Sequence, residues 1–76
     1  MAKEKTALNQ ALGAAMRSAR EEQGYGQEQF AARAGLDRSY YGAIERGEFN
    51  VSLATLIKLA GALELTAAEL LARAGL

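Results

Sequence analysis

Residues 27 to 46, QEQFAARAGLDRSYYGAIER, set two short amphipathic stretches on either side of Ala34-Gly35-Leu36. The spacing fits two short helices joined by a tight turn. Phe30, Ala31 and Ala34 share one face of the first helix, and Tyr41 and Ile44, three apart, share one face of the second. These apolar faces can pack together. Gly35 can take the left-handed conformation that ends the first helix, and Leu36 can then turn inward as a hydrophobic plug. Asp37 is placed to cap the second helix through its carboxylate. Ala31 has to stay small, because two helices crossing steeply leave little room at their closest approach.

The rest of the chain reads as helix as well. It has no proline, and glycines and capping residues divide it into about five helices. The first is expected from about Ala7 to Gln23, burying Leu8, Leu12, Met16 and Ala19 before Gly24. The second begins at Gln27 with Gly26 as its N-cap, a choice that costs only a few tenths of a kcal/mol relative to Ser or Thr. The third spans about Arg38 to Arg46. Ser52 caps a fourth from Leu53 to about Ala62, burying Leu53, Leu56, Leu59, Ala60 and Leu63. Thr66 and Glu69 form a capping box for a fifth that carries Leu70 and Leu71.

Composition narrows the chemistry. Seventy-six residues make one small domain, and the absence of Cys leaves its core without disulfides or a thiolate metal site. The absence of His removes the commonest metal ligand and the usual general base, so neither a metal, a cofactor nor an enzymatic role is expected. No apolar stretch approaches the ~20 residues of a membrane span, and the N-terminus lacks a signal-peptide pattern. A cytoplasmic protein is the expectation. Nine basic residues balance nine acidic ones, which argues against a nucleic-acid partner on net charge alone. Placement carries more weight, since Glu21, Glu22, Glu64 and Glu69 lie away from the outer face of the third helix.

The chain resembles the Xre-type helix-turn-helix family, which includes the phage repressors and Cro proteins. The resemblance runs over roughly residues 12 to 71. It rests on Leu12-Gly13 with Met16, Arg17 and Arg20, then Gln27-Glu28-Gln29-Phe30-Ala31 and Ile44-Glu45-Arg46-Gly47. Asn50-Val51-Ser52-Leu53 follows, with Leu56, Leu59, Ala60 and Leu63 after it. The run Leu36-Asp37-Arg38-Ser39-Tyr40-Tyr41, read with these, looks most like the small controller proteins of restriction–modification systems. The resemblance implies an all-α, compact five-helix bundle of the phage-repressor DNA-binding-domain type. Residues 1 to 6 would form a flexible tail, and residues 7 to 76 the DNA-binding domain with a C-terminal dimerisation helix. It also implies an ion pair between Arg20 and Glu45, linking the third helix to the first; the alternative is two ordinary surface charges. Tyr41 stands where the family usually has a branched aliphatic, so its hydroxyl must find a partner. Val51 replaces a frequent proline, and Gly26 and Gly42 replace small hydroxyl residues.

In such a fold the third helix enters the major groove. With Tyr41 and Ile44 turned inward, Arg38, Ser39, Gly42, Ala43 and Arg46 face outward and become the candidate base contacts. Arg38 in the first turn suits two hydrogen bonds to guanine O6 and N7, Ser39 a base edge or phosphate, and Ala43 a thymine methyl. Gly42 permits close approach, and Arg46 suits a phosphate or an edge near the half-site boundary. Backbone positioning is expected from Gln27, whose side-chain amide and first-turn N–H groups can hold a phosphate, and from Asn50, which resembles a family position on the opposite flank. Arg33, Tyr40 and Arg17 are further phosphate candidates for which a solvent-facing or packing role fits equally. Phe49 is either a loop plug or an exposed contact.

One recognition helix touches few base pairs, so a second copy is expected on a palindromic site. Leu65, Leu70, Leu71 and Leu76 offer the candidate interface; the alternative is that they complete the monomer core. The partners expected are double-stranded DNA, a second copy of the chain and a contact with RNA polymerase, with no membrane and no small-molecule ligand. The function expected is a sequence-specific transcriptional regulator. An antitoxin or adaptor that uses its last helix for another protein is the alternative.

Overall fold

The computed structural model describes residues 5–76 and contains five helices: α1 (Ala7–Glu22), α2 (Gln27–Ala34), α3 (Arg38–Glu45), α4 (Leu53–Ala62) and α5 (Ala67–Arg73). Side chains define most of the starts. Asp37 accepts from the N–H groups of Ser39 and Tyr40 at 3.0 and 3.2 Å, and Ser52 accepts from Thr55 at 3.1 Å. Thr66 accepts from Glu69 N–H at 3.0 Å while the Glu69 carboxylate takes the Thr66 N–H at 2.8 Å, a reciprocal box. Glycine has no side chain to offer at Gly26, so α2 keeps only the return half of such a box, with Gln29 Oε1 accepting from Gly26 N–H at 3.4 Å. Thr6, assigned to the tail from sequence, accepts from Asn9 N–H at 3.1 Å and caps α1. Residues 1–4 of that tail lie outside the described residues.

The turn between α2 and α3 follows from Gly35, whose φ of 72° lies in the left-handed region. It lets the Leu36 N–H reach back to the Ala31 carbonyl at 2.9 Å and carries Leu36 against the core. Ala31 is buried beneath the crossing. Around it the core gathers Met16 and Ala19, Phe30 and Ala34, Tyr41 and Ile44, Leu56, Leu59, Leu63 and Leu70. The Phe30 and Tyr41 rings meet at 5.1 Å with a 53° tilt, one of the inclined geometries aromatic pairs prefer. α1 packs on α3 and α5, α2 on α3 and α4, and α4 on α5. Every helix is thereby braced by at least one partner distant in sequence. Among the described residues no helix is long and apolar enough to cross a membrane.

Three burial expectations change. Leu8 is 54% exposed, because the inward face of α1 runs through Asn9, Leu12, Gly13 and Met16 and leaves Leu8 at its edge. Leu53 is 69% exposed: it opens α4 on a face shared with the equally outward Ile57, one turn later. Leu70, offered above as interface, is fully buried where α5 meets the core, so it cannot supply a surface for a second copy. Leu65 and Leu71 are half-buried against the same core, and of the four only Leu76 is largely exposed.

Candidate nucleic-acid interface

α3 projects with its amphipathic face split cleanly. Tyr41, Ile44 and Glu45 turn inward, whereas Arg38, Ser39 and Arg46 are exposed. Together with Gln27 and Gly42, those three outward residues line an open depression of about 240 Å³ between the start of α2 and the outer face of α3. Gly42 forms its floor, where a side chain would meet the Arg46 guanidinium at 3.3 Å and Gln27 Oε1 at 3.7 Å. Arg38 has no ion-pair partner among the described residues, and Arg46 reaches Glu48 at 2.7 Å on the surface. The depression thus offers two guanidinium groups and a hydroxyl, all able to donate, and one amide carbonyl able to accept.

Gly42, expected outward, is buried although it lines the depression, and Ala43 departs from the outward set altogether. It is only 6% exposed, because the chain doubles back after α3 and the Glu48 N–H bonds the Ala43 carbonyl at 3.0 Å. A methyl so covered has little surface left for a thymine. Among the residues expected near phosphates, Asn50 is exposed on the loop after α3. Arg17 is exposed and paired with Glu21 at 3.3 Å. Arg33 instead ties helices together, its Nε donating to the Ala62 carbonyl at 2.9 Å and its guanidinium lying 5.4 Å from the Tyr25 ring centroid. Tyr40 is half-buried with its ring 5.5 Å from that of Phe49, which makes Phe49 part of a packed pair.

What holds α3 in place is a buried polar cluster centred on Glu45. Its Oε2 accepts from Arg20 Nε at 2.6 Å and from the Tyr41 hydroxyl, and its Oε1 accepts from Arg20 Nη2 at 3.2 Å and from Gln27 Nε2 at 3.0 Å. Arg20 Nη1 is committed to the Tyr25 carbonyl at 2.7 Å. The bidentate pair links α1 to α3 with both side chains almost wholly out of solvent, and no buried side-chain nitrogen or oxygen among the described residues lacks a partner. Burial pushes the Glu45 carboxyl up, but the hydrogen bonds from Arg20, Tyr41 and Gln27 outweigh it and hold the group below its ordinary value. Its hydrogen bond to Glu45 raises Arg20 further against burial. Burial first, and then the hydrogen bond to Glu45 and its charge, drive the Tyr41 phenol well above its ordinary value. At neutral pH the cluster is therefore a carboxylate, a guanidinium and a neutral phenol.

Two features escaped the reading of the sequence. The Gln27 amide nitrogen is spent on Glu45, 18 residues away, a link no local pattern reveals. Leu53 and Ile57 are exposed where burial was expected or nothing was said; the signal available was that LATLIKLAGA carries more large apolar residues than one core-facing stripe needs.

Comparison with known proteins agrees with this geometry. A family model with the description Helix-turn-helix matches residues 16–70. The control protein C.SmaI of Serratia marcescens is 45% identical over 69 residues, covering 91% of this chain and 82% of that protein. Among solved structures, the restriction-modification controller protein C.AhdI from Aeromonas hydrophila superposes with a TM-score of 0.82 at 45% identity, covering 86% of this chain and 98% of that one. SinR, the master regulator for biofilm formation, solved in complex with DNA, superposes with a TM-score of 0.74 at 33% identity over 79% of this chain and 97% of its own.

Proposed function

The chain belongs to the Xre-type helix-turn-helix family of DNA-binding transcriptional regulators, and from that premise we propose that it acts as a homodimer, reading a palindromic operator with α3 in the major groove. The observation that carries the reading is the outer face of α3 itself. Arg38, Ser39 and Arg46 stand together and open to solvent around Gly42, on a helix whose opposite face is pinned by a buried ion pair. A rigidly held helix bearing an uncommitted arginine in its first turn is what bidentate recognition of guanine needs. Asn50, the exposed Arg17 and the first-turn N–H groups of α2 remain as the groups that would meet phosphates and set the register.

Selection from a random duplex library, repeated at several salt concentrations, tests this directly. Enrichment of an inverted repeat is expected, with half-sites centred about 34 Å apart. Arg38→Ala should relax the preference at one symmetric pair of positions, at a cost of about 1–3 kcal/mol per site. A loss of affinity equal across all sequences would reduce Arg38 to a phosphate contact, and no enrichment by the wild type would remove the regulator reading altogether.

The second copy is assigned to α4 rather than to Leu70. Leu53 and Ile57 lie one turn apart on one face and are 69% and 55% exposed. Leu76, 53% exposed at the other end of the chain, is a further apolar group that a partner could cover. Leu53→Glu combined with Ile57→Glu should leave the fold intact, since neither side chain is in the core. It should weaken self-association by about 2 kcal/mol or more, read as a shift from dimer to monomer in sedimentation equilibrium. An unchanged dimer would put the interface elsewhere.

A further inference from the structure

Gln27 occupies an unusual position for a residue expected to hold a phosphate. Glu45 is an ionised carboxylate and can only accept, so the side-chain amide that meets it at 3.0 Å must present its nitrogen. That fixes the orientation of the amide without ambiguity. The carbonyl Oε1 therefore turns the other way, over Gly42 on the floor of the α3 depression, 3.7 Å from the point a Cβ of that residue would occupy. Arg20 and Tyr41 hold Glu45 on its other lone pairs, so the carboxylate that anchors Gln27 is itself immobile.

An acceptor displayed there is poorly matched to DNA phosphates, which carry only acceptors. In the major groove the available donors are the exocyclic amino groups, N6 of adenine and N4 of cytosine. We infer that Gln27 is a specificity-determining residue whose Oε1 accepts a hydrogen bond from an unmodified exocyclic amino group in the half-site read by α3. The inference rests on the proposed regulator function and sharpens it. Arg38 and Arg46 supply donors to the same depression, so a base pair or step that shows an acceptor edge and an amino donor side by side is the natural match: guanine with its paired cytosine, or guanine followed by adenine.

A methyl group on that amino nitrogen provides a direct probe. In a paired duplex the remaining N–H serves the Watson–Crick bond and the methyl occupies the major-groove side, so the donor that Gln27 would use disappears. The test takes the duplex that the wild-type protein enriches from a random library and prepares it with N6-methyladenine or N4-methylcytosine at each half-site position in turn. Binding by wild type and by Gln27→Ala and Gln27→Met is then compared, with circular dichroism to show that both variants are folded. At one symmetric pair of positions, methylation should weaken wild-type binding about tenfold, the equivalent of one hydrogen bond. It should change the binding of either variant less than twofold. The inference is overturned if methylation weakens the variants as much as the wild type. It is overturned too if the substitutions lower affinity uniformly for all duplexes, the mark of a phosphate contact. A wild-type protein that enriches no sequence overturns the regulator reading together with this one, so the two failures are told apart by the first step of the experiment.

Discussion

Gly13→Ala should destabilise the protein by about 3 kcal/mol, although the same exchange in an unobstructed helix would stabilise it. Gly13 lies inside α1 where that helix meets the end of α3. A Cβ at this position would stand 2.4 Å from the Glu45 carbonyl oxygen, 2.5 Å from that of Ile44 and 2.8 Å from the Glu45 carbonyl carbon. All three are backbone atoms at the end of a helix, and none can swing aside. Relief requires α1 and α3 to separate by roughly 1 Å, which would stretch the Arg20–Glu45 pair and open the packing around Met16 and Ile44. Gly61→Ala provides the contrast. Gly61 is exposed on α4 and a Cβ there meets nothing within 4 Å, so it should gain about 0.5–1 kcal/mol from helix propensity. Urea unfolding of the two variants beside wild type measures both effects as opposite shifts of the midpoint. For a domain of this size, whose total stability is about 5–15 kcal/mol, the first is a large fraction. A Gly13→Ala variant within ~1 kcal/mol of wild type would mean that the α1–α3 contact is slack and that α3 is not rigidly presented.

The sequence made the local geometry legible and left the long-range geometry mostly hidden. Helix boundaries could be read because each is set within a few residues: the Asp37, Ser52 and Thr66 caps, and Gly35 turning the chain between α2 and α3. Facing could be read wherever period and core coincide, as for Phe30, Ala31, Tyr41 and Ile44. Periodicity does not say which of two neighbouring apolar stripes meets the core, and so Leu8 and Leu53 were placed inside although the inward faces run through Asn9 and Leu12 and through Leu56 and Ala60. Nor does it see a chain that folds back, as over Ala43, or a helix whose one fully buried leucine, Leu70, is consumed by the monomer. The candidate site shows the same division. Arg38, Ser39, Gly42 and Arg46 follow from turning one helix, whereas the direction of the Gln27 amide depends on Glu45 and thus on how α2 and α3 cross.

Glu45→Gln should cost about 3–5 kcal/mol at neutral pH, because it removes one charge from a buried pair and leaves the other. The substitution hardly changes shape, so packing is not the cause. Arg20 would keep its charge with almost no solvent to stabilise it, and its remaining bond, to the Tyr25 carbonyl, cannot replace a carboxylate. Removing both charges is a different matter. Arg20→Met with Glu45→Leu leaves no stranded ion, and it should recover much of the loss even though α1 and α3 are then joined only by apolar contact. The pH dependence separates this account from a simple loss of hydrogen bonds. The Glu45 carboxyl titrates below its unfolded value of 4.5, so its contribution is complete above that value and disappears as the pH falls through the lower folded value. Tyr41 titrates above its unfolded value of 10.0, so its contribution is complete below that value and is lost as the pH rises beyond it. One cluster therefore bounds the stable range on both sides. In Glu45→Gln the acid limb should become shallower, since one group that takes up a proton mainly on unfolding has gone, and the alkaline limb should flatten with it, because the charge that helps to raise Tyr41 is absent. Urea midpoints collected from pH 3 to 11 for wild type and the variant would show it. Parallel curves merely offset in stability would mean that Glu45 acts through its hydrogen bonds alone, and the ion pair would lose its role in holding α3 against α1.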